Sequence, residues 1–403
     1  MDLLLWTYFS ATGIFWCFFY FNVTRLARRL PAMPTENVLN TAHLPKLSVI
    51  ITAKDEAATI EHALQTILKT DYPDFEIIIV NDRSVDNTGN IIDRFAQKCS
   101  DRKDSGPKDS DQKHPEIIPI HVDRLPENWI GKVHALDTAT ARASGEWMLF
   151  TDADVHHHAT LWQRAVDYAT RKQFDHLALL PDVPTSGLFI QACVKAFGVM
   201  FLATARVEQV EDPDSKAAIG IGAFNLVKRA AFNKTPGFEW LRMEVVDDYG
   251  LGIMMKKWQQ QISFATAYDD LQVDWYPTLS SMIRGLDKNI MAPGTRYQTA
   301  KLIISPVIFA AIIFGPFFSL LVWSGYYPLV GLSVFIFVGL TSFWIPSRSY
   351  KELLYWLLTP IGYLIIVYTF TRACILCLKR GGIVWRDTFY PRALLRKYQR
   401  VKL

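Results

Sequence analysis

The hydrophobic pattern changes period twice along this chain. Leu3 to Val23 contains no charged residue, and about 21 helical residues extend roughly 31 Å, enough to cross a bilayer's hydrocarbon core. From Leu47 onward the apolar runs shorten, becoming β-branched and bounded by polar loops. Leu47–Ile51, Phe75–Val80, Ile117–Val122, Trp147–Phe150, Leu177–Leu180 and Ile262–Tyr268 predict strands. Between them, helices are predicted at about 57–69, up to about 97, at 133–144 and at 161–170. Strand and helix alternating at this spacing make βαβ units, hence an α/β domain with a parallel sheet and a ligand crevice at the strand C-termini.

A further helix at about 189–207 has apolar residues on more than one face. It either rests on a membrane, lines a cleft or is buried in a core. Gly220–Leu226 is glycine-rich and is expected to lead into a helix containing Lys228 and Arg229. Another helix runs from about Asp247 to Gln260. Ser100–Pro115 mixes lysines and aspartates and is expected to be a solvated loop. Beyond position 300 three apolar runs, Leu302–Trp323, Tyr326–Ile345 and Leu353–Leu378, are each long enough to span. The pattern therefore divides the chain into an anchor (1–24), an α/β domain (46–277), an interfacial amphipathic segment (278–300), about three membrane helices (301–380) and a basic tail (381–403).

Half of the 403 residues are hydrophobic and a fifth are charged, with the apolar excess at the two ends. That is a membrane protein with a polar middle. The net charge of +4 comes from basic residues beside the apolar runs, which marks membrane flanks and excludes a nucleic-acid footprint. By the positive-inside rule, Arg25, Arg28 and Arg29 place the chain beyond the first helix in the cytoplasm. Three later crossings would put the basic tail outside, against the same rule, unless one run is re-entrant; Thr359–Pro360 is where a break would fall. The parity stays open. Five cysteines without framework spacing fit a reducing compartment, and Cys374 and Cys377 read as apolar fillers. No protein partner can be inferred.

Carboxylates stand at three strand ends or helix starts: Asp82 with Asp86, Asp152 with Asp154, and Asp247 with Asp248. Asp-X-Asp after a buried run can hold a divalent cation through oxygen ligands, leaving positions for a diphosphate. If all three groups face one crevice, one meets a nucleotide, one binds metal and one deprotonates an incoming hydroxyl. His156, His157 and His158 come next; they are expected to be solvated helix-start residues, with His156 able to reach a metal.

The motifs Leu47-Ser-Val-Ile-Ile-Thr-Ala-Lys-Asp-Glu56, Val80-Asn-Asp82-Arg-Ser84-Val-Asp86-Asn-Thr88, Asp152-Ala-Asp154 and Asp247-Asp248-X-X-Leu251-Gly252 occur in this order. From about Leu47 to Asn289 the chain resembles family 2 glycosyltransferases of the GT-A fold. The resemblance implies that Glu56 and Asp82, with Ala53 in the opening loop, contact the uridine of a UDP-sugar. It further implies that Asp152 holds ribose or sugar, that Asp154 with Asp152 binds Mg2+ or Mn2+, and that Asp248 is the base. Asp247 stands where the family has glutamate, so the choice between Asp247 and Asp248 is open. Lys132 is either a donor-phosphate ligand or a surface lysine, and Gly222 either approaches the donor sugar or serves a turn.

The Trp129-Ile-Gly-Lys132 element, Gly285-Leu-Asp-Lys-Asn289 and Val384-Trp385-Arg386…Tyr390-Pro391 are similar to bacterial hopanoid-associated and carotenoid-acid glycosyltransferases, and more distantly to ceramide glucosyltransferase. The Gln-X-X-Arg-Trp of processive synthases is absent near position 285. The resemblance implies an inverting, metal-dependent transfer of one sugar to a membrane lipid. A polyprenyl-phosphate sugar transferase is the enzymatic rival, and a catalytically silent nucleotide-sugar-binding scaffold the rival of another class. Few ionisable groups interrupt the apolar runs, which disfavours a transporter.

Overall fold

The computed structural model describes residues 2–35, 44–105, 115–185, 187–322, 325–340 and 352–402. Its centre is a sheet of β1 (Leu47–Ala53), β2 (Phe75–Asp82), β3 (Glu116–Val122), β4 (Trp147–Asp152), β6 (His176–Leu180), β7 (Asn225–Lys228) and β8 (Ile262–Thr266). The spatial order is β3-β2-β1-β4-β7-β6-β8, and only β7 runs antiparallel to its neighbours. The central strands are apolar along most of their length because both faces are covered. Val49, Ile51, Ile77 and Ile79 pack under α2 (Ile60–Ile67), α3 (Thr88–Ser105) and α5 (Leu161–Arg171). Ile50, Ile78 and Val80 face α4 (Gly131–Thr140) and α8 (Asp247–Lys257). Parallel register sets Thr52 beside both Val80 and Asp152. The acidic loops therefore leave the sheet along one edge.

One buried charge ties the opposite edge. Glu76 accepts hydrogen bonds from Lys46 at 2.7 Å, Ser48 at 2.6 Å and Ser144 at 2.7 and 2.8 Å. Burial alone would raise its pKa, but these bonds hold it down to about 2. Since the folded pKa lies below the unfolded one, this stabilisation is present above about pH 4.5 and is lost as pH falls toward 2. Glu76→Ala should cost roughly 2–3 kcal/mol at pH 7, and the gap between variant and wild type in urea melts should close on acidification.

Several expectations are corrected. The residues after Gly222 do not pass straight into a helix: Asn225–Val227 are buried between β4 and β6 as strand β7, and α7 (Arg229–Phe232) is a single turn. A four-residue strand carries too few positions for periodicity to reveal. His156 and His157 are not at a helix start either. They belong to β5 (Val155–His157), which pairs with β9 (Leu271–Val273). α3 continues to Ser105, so the expected loop begins later, and 106–114 lie outside the described residues. Residues 36–43, between the first helix and β1, and the end of the second apolar run also lie outside them. The interfacial segment is broken into α9 (Leu279–Leu286) and α10 (Ala292–Thr295).

Among the described residues four helices are long and apolar enough to cross a membrane: Leu3–Ala27, Leu188–Gln209, Thr299–Leu321 and Leu357–Arg380. They lie in α1 (Asp2–Ala27), α6 (Leu188–Ala205) with the short turn after it, α11 (Thr299–Leu321) and α13 (Glu352–Arg380). α12 (Tyr327–Leu340) covers the described part of the second apolar run. α13 is continuous through Pro360, so no break falls there. Trp16, Ala196, Ile313, Val334 and Tyr363 form one cluster across these helices, with the Trp16 indole donating to the Ile312 carbonyl at 3.2 Å.

The segment after α13 returns to the α/β domain. It comprises β10 (Gly382–Trp385), β11 (Thr388–Pro391) and α14 (Arg392–Tyr398), and it packs back on the α/β domain. Gln399 donates to the Ala292 carbonyl, while the Arg400 and Val401 amides donate to the buried Glu244. The tail thus lies on the same side of the helix layer as the domain that comes after α1.

Candidate functional site

At the C-terminal edge of β1, β2 and β4 opens a cleft of about 490 Å³. Ala53, Glu56, Asp82, Lys132, Asp152 and Asp154 all line it. Gly222, Asp247 and Asp248 line a narrow adjoining pocket of about 20 Å³, whose wall shares Lys132 and Asp152 with the cleft. Every site residue expected from sequence therefore falls in one connected region.

Side-chain bonds to backbone fix the two nucleotide-side loops to each other. The Asp55 amide donates to Ser84, the Glu56 amide to Thr88 at 2.8 Å and the Ala57 amide to Asp86 at 3.0 Å. In return the Val85 amide donates to Asp55. Ser84, Asp86 and Thr88 thereby act as fasteners, and Glu56 is presented to the cleft. Asp82 is gripped by its own neighbour, the Arg83 guanidinium donating to both carboxylate oxygens at 2.7 and 2.9 Å.

Lys132, in the first turn of α4, is the hub of the charged groups. Its ammonium lies 2.8 Å from Asp152 and 3.4 Å from Asp247. Burial would lower its pKa, but Asp152, Asp247 and Asp248 together raise it well above normal, so it is a permanent cation. It is no surface lysine. Burial, followed by Asp152 and Glu56, pushes Asp154 up to about 7. Burial and then Asp247 push Asp248 up to about 6.

Asp248 accepts from the Gly222 amide at 2.9 Å and from the Tyr249 amide at 2.8 Å. A β-carbon on Gly222 would sit 2.5 Å from an Asp152 oxygen and 3.4 Å from Asp248. Only glycine lets the loop bring these two carboxylates together.

Among the described residues no three His, Cys, Asp or Glu side chains form a ready metal cage. Asp152 and Asp154 nevertheless fit a divalent cation of the kind that binds one or two carboxylates and takes its remaining ligands from substrate phosphates and water. Crowding of carboxylates, which raises Asp154, is the strain such a cation relieves. His156 does not join them. It lies 3.4 Å from Asp274 and meets the His62 ring edge-on. His157 is buried, accepting from the Trp162 indole.

Three further groups in the cleft come from motifs to which sequence reasoning assigns no site role. Lys288, just past α9, sits with its ammonium 3.8 Å from the centre of the Trp385 ring. Arg386, in the turn between β10 and β11, lies 2.5 Å from Glu56. Tyr390 accepts from the Gly131 amide at 3.2 Å. The signal was available in the Trp385-Arg386 pair, an aromatic and a cation between two short strands. Its distance from the acidic motifs, more than 230 residues from Asp152, hid the connection.

On the membrane side, Trp275 and Tyr276 line the cleft and also pack with Ile190, Phe197, Met282 and Ile366 of α6, α9 and α13. α6 is therefore core packed behind the cleft wall, and α9 turns its apolar face to protein.

A parallel sheet whose acidic loops meet at one edge, with an Asp-X-Asp at the end of β4, defines a GT-A glycosyltransferase fold. The chain carries a domain of Glycosyl transferase family 2, matched over residues 48–235. A probable glycosyltransferase, YdaM, of Bacillus subtilis (strain 168) is 32% identical over 117 residues, 28% of this chain and 24% of that protein. A 4,4'-diaponeurosporenoate glycosyltransferase of Staphylococcus aureus (strain bovine RF122 / ET3-1) is 23% identical over 271 residues, 63% of this chain and 66% of that protein. The chain spans less than a quarter of the length of the first curated relatives it matches. Among solved structures, the mannosyltransferase PcManGT from Pyrobaculum calidifontis, in complex with GDP-Man and Mn2+, shares the fold. It matches at a TM-score of 0.55 and 15% identity, over 91% of this chain and 96% of that one.

Proposed function

We propose that this protein transfers one sugar from a UDP-sugar to a membrane lipid, with inversion, at the cytoplasmic face of a bacterial inner membrane. The observation that carries the reading is the cleft itself. Its floor holds Asp152, Asp154 and Lys132, and its wall of Trp275 and Tyr276 continues into the apolar helices. Similarity to a carotenoid-acid glycosyltransferase over most of this chain supports an isoprenoid-like acceptor.

Glu56 and Ala53 would border the nucleoside, Lys132 the donor phosphates, and Asp154 with Asp152 a Mg2+ or Mn2+ ion. That cation would neutralise charge on the leaving diphosphate. Asp248 would take the proton of the acceptor hydroxyl, since Asp247 is already engaged by Lys132. A single displacement at the sugar carbon then inverts its configuration.

The test is mass spectrometry of membrane lipids from cells with and without the protein, paired with radiolabelled donor. A glycolipid that appears only with the protein is expected; unchanged lipids would defeat the acceptor assignment. Arg284, lining the cleft beside Tyr276, favours a second reading in which the acceptor bears a phosphate.

A further inference from the structure

Three candidates stand outside the roles assigned above: the buried Lys195 of α6, the His62–His156–Asp274 group, and the hairpin after the last apolar helix. The hairpin carries the most.

β10 and β11 pair antiparallel with Trp385 opposite Thr388, so the turn between them is only Arg386–Asp387. Both turn residues are left-handed, with φ of 45° and 61°. That is the backbone of a tight hairpin turn usually made with Asn-Gly or Gly-Gly. A bulky arginine there is unfavourable, and strained turns persist where the side chain is needed at a site.

The turn spans the cleft mouth. Arg386 pairs with Glu56 at 2.5 Å and also donates to the Lys54 carbonyl, and the Lys54 ammonium donates back to the Arg386 carbonyl at 2.9 Å. Behind it, Trp385 stacks under Lys288. Burial, then Lys132, depresses Lys288 to about 8, as expected of a cation awaiting an anion. Arg386, Lys288 and Lys132 come from three elements far apart in sequence and line one cleft.

We propose that the C-terminal hairpin completes the donor site, with Arg386 and Lys288 binding the diphosphate of a nucleoside diphosphate opposite Lys132. The inference rests on the proposed function for its donor class. It goes further in making donor binding depend on a segment that reaches the cleft only once α13 is in place. Glu56 holds Arg386 over the mouth until the more charged diphosphate displaces it.

The test is calorimetric titration of the full-length protein in detergent with uridine, UMP, UDP and GDP, Mn2+ present. Arg386→Ala should weaken the nucleoside diphosphate roughly ten- to a hundred-fold, UMP less and uridine not at all, with Arg386→Lys intermediate and the melting temperature unchanged. Lys288→Met should show the same order. Equal UDP affinity in wild type and both variants would overturn the inference while leaving glycosyl transfer intact. So would equal losses for uridine and UDP, the mark of a merely structural role. If the variants lose UDP yet no lipid is ever glycosylated by the wild type, the hairpin's role stands and the acceptor reading falls. A wild type that binds neither UDP nor GDP overturns both.

Discussion

Asp248→Asn is expected to lower kcat for sugar transfer to an alcohol by about 10²–10⁴-fold, the usual worth of a positioned general base. Donor affinity should change little. The Asp248 carboxylate is held by the Gly222 and Tyr249 amides, and an asparagine carbonyl still accepts a bond from one of them, so the loop keeps its shape. Burial first, then Asp247, raises its pKa to about 6. A base must be deprotonated to act, so activity should climb as pH rises through about 6 and level off above it. Asp248→Asn should abolish that limb in a pH profile of kcat. A phosphate acceptor arrives already ionised and has little need of the base. Normal turnover of Asp248→Asn on polyprenyl phosphate would therefore select the second reading.

The sheet was legible because its strands are buried on both faces. Phe75–Val80 has no polar interruption beyond Glu76, and a run of that length bounded by polar loops admits few alternatives. β7 was not legible: its four residues come shortly after two glycines and precede basic residues, and its strand character comes from burial between β4 and β6. Tertiary context decided that element. The acidic site could be read because its carboxylates recur at strand ends or helix starts, Asp82 and Asp152 each closing a buried run and Asp247 with Asp248 opening α8.

What sequence could not give was division of labour. Ser84, Asp86 and Thr88 look as chemical as Asp82 on paper, yet their bonds go to the backbone of the neighbouring loop. Lys132 looks like any helix-start lysine until Asp152 and Asp247 are seen on either side of it. Arg386 is the extreme case, because only the return of the chain from α13 to the domain brings it to Glu56.

Asp154→Asn should remove metal-dependent donor binding and leave transfer at least about 10³-fold down, the order expected when the principal electrostatic stabiliser of a leaving group is lost. Asp152 and Asp154 are not equivalent. Lys132 already neutralises Asp152 at 2.8 Å, whereas no ion pair reaches Asp154 among the described residues. Burial and two carboxylate neighbours leave Asp154 the least compensated charge in the cleft.

The same imbalance gives a readout independent of turnover. Without ligands, Asp154→Asn relieves repulsion, so its melting temperature should equal or exceed that of wild type. With Mn2+ and UDP at about 100 times Kd, wild type should gain roughly 2.7 kcal/mol, and the variant should gain little. A variant stabilised as strongly as wild type would move the cation elsewhere. Loss of the ligand-induced gain together with an unchanged or higher unliganded melting temperature would instead identify Asp154 as the protein's principal contribution to the metal.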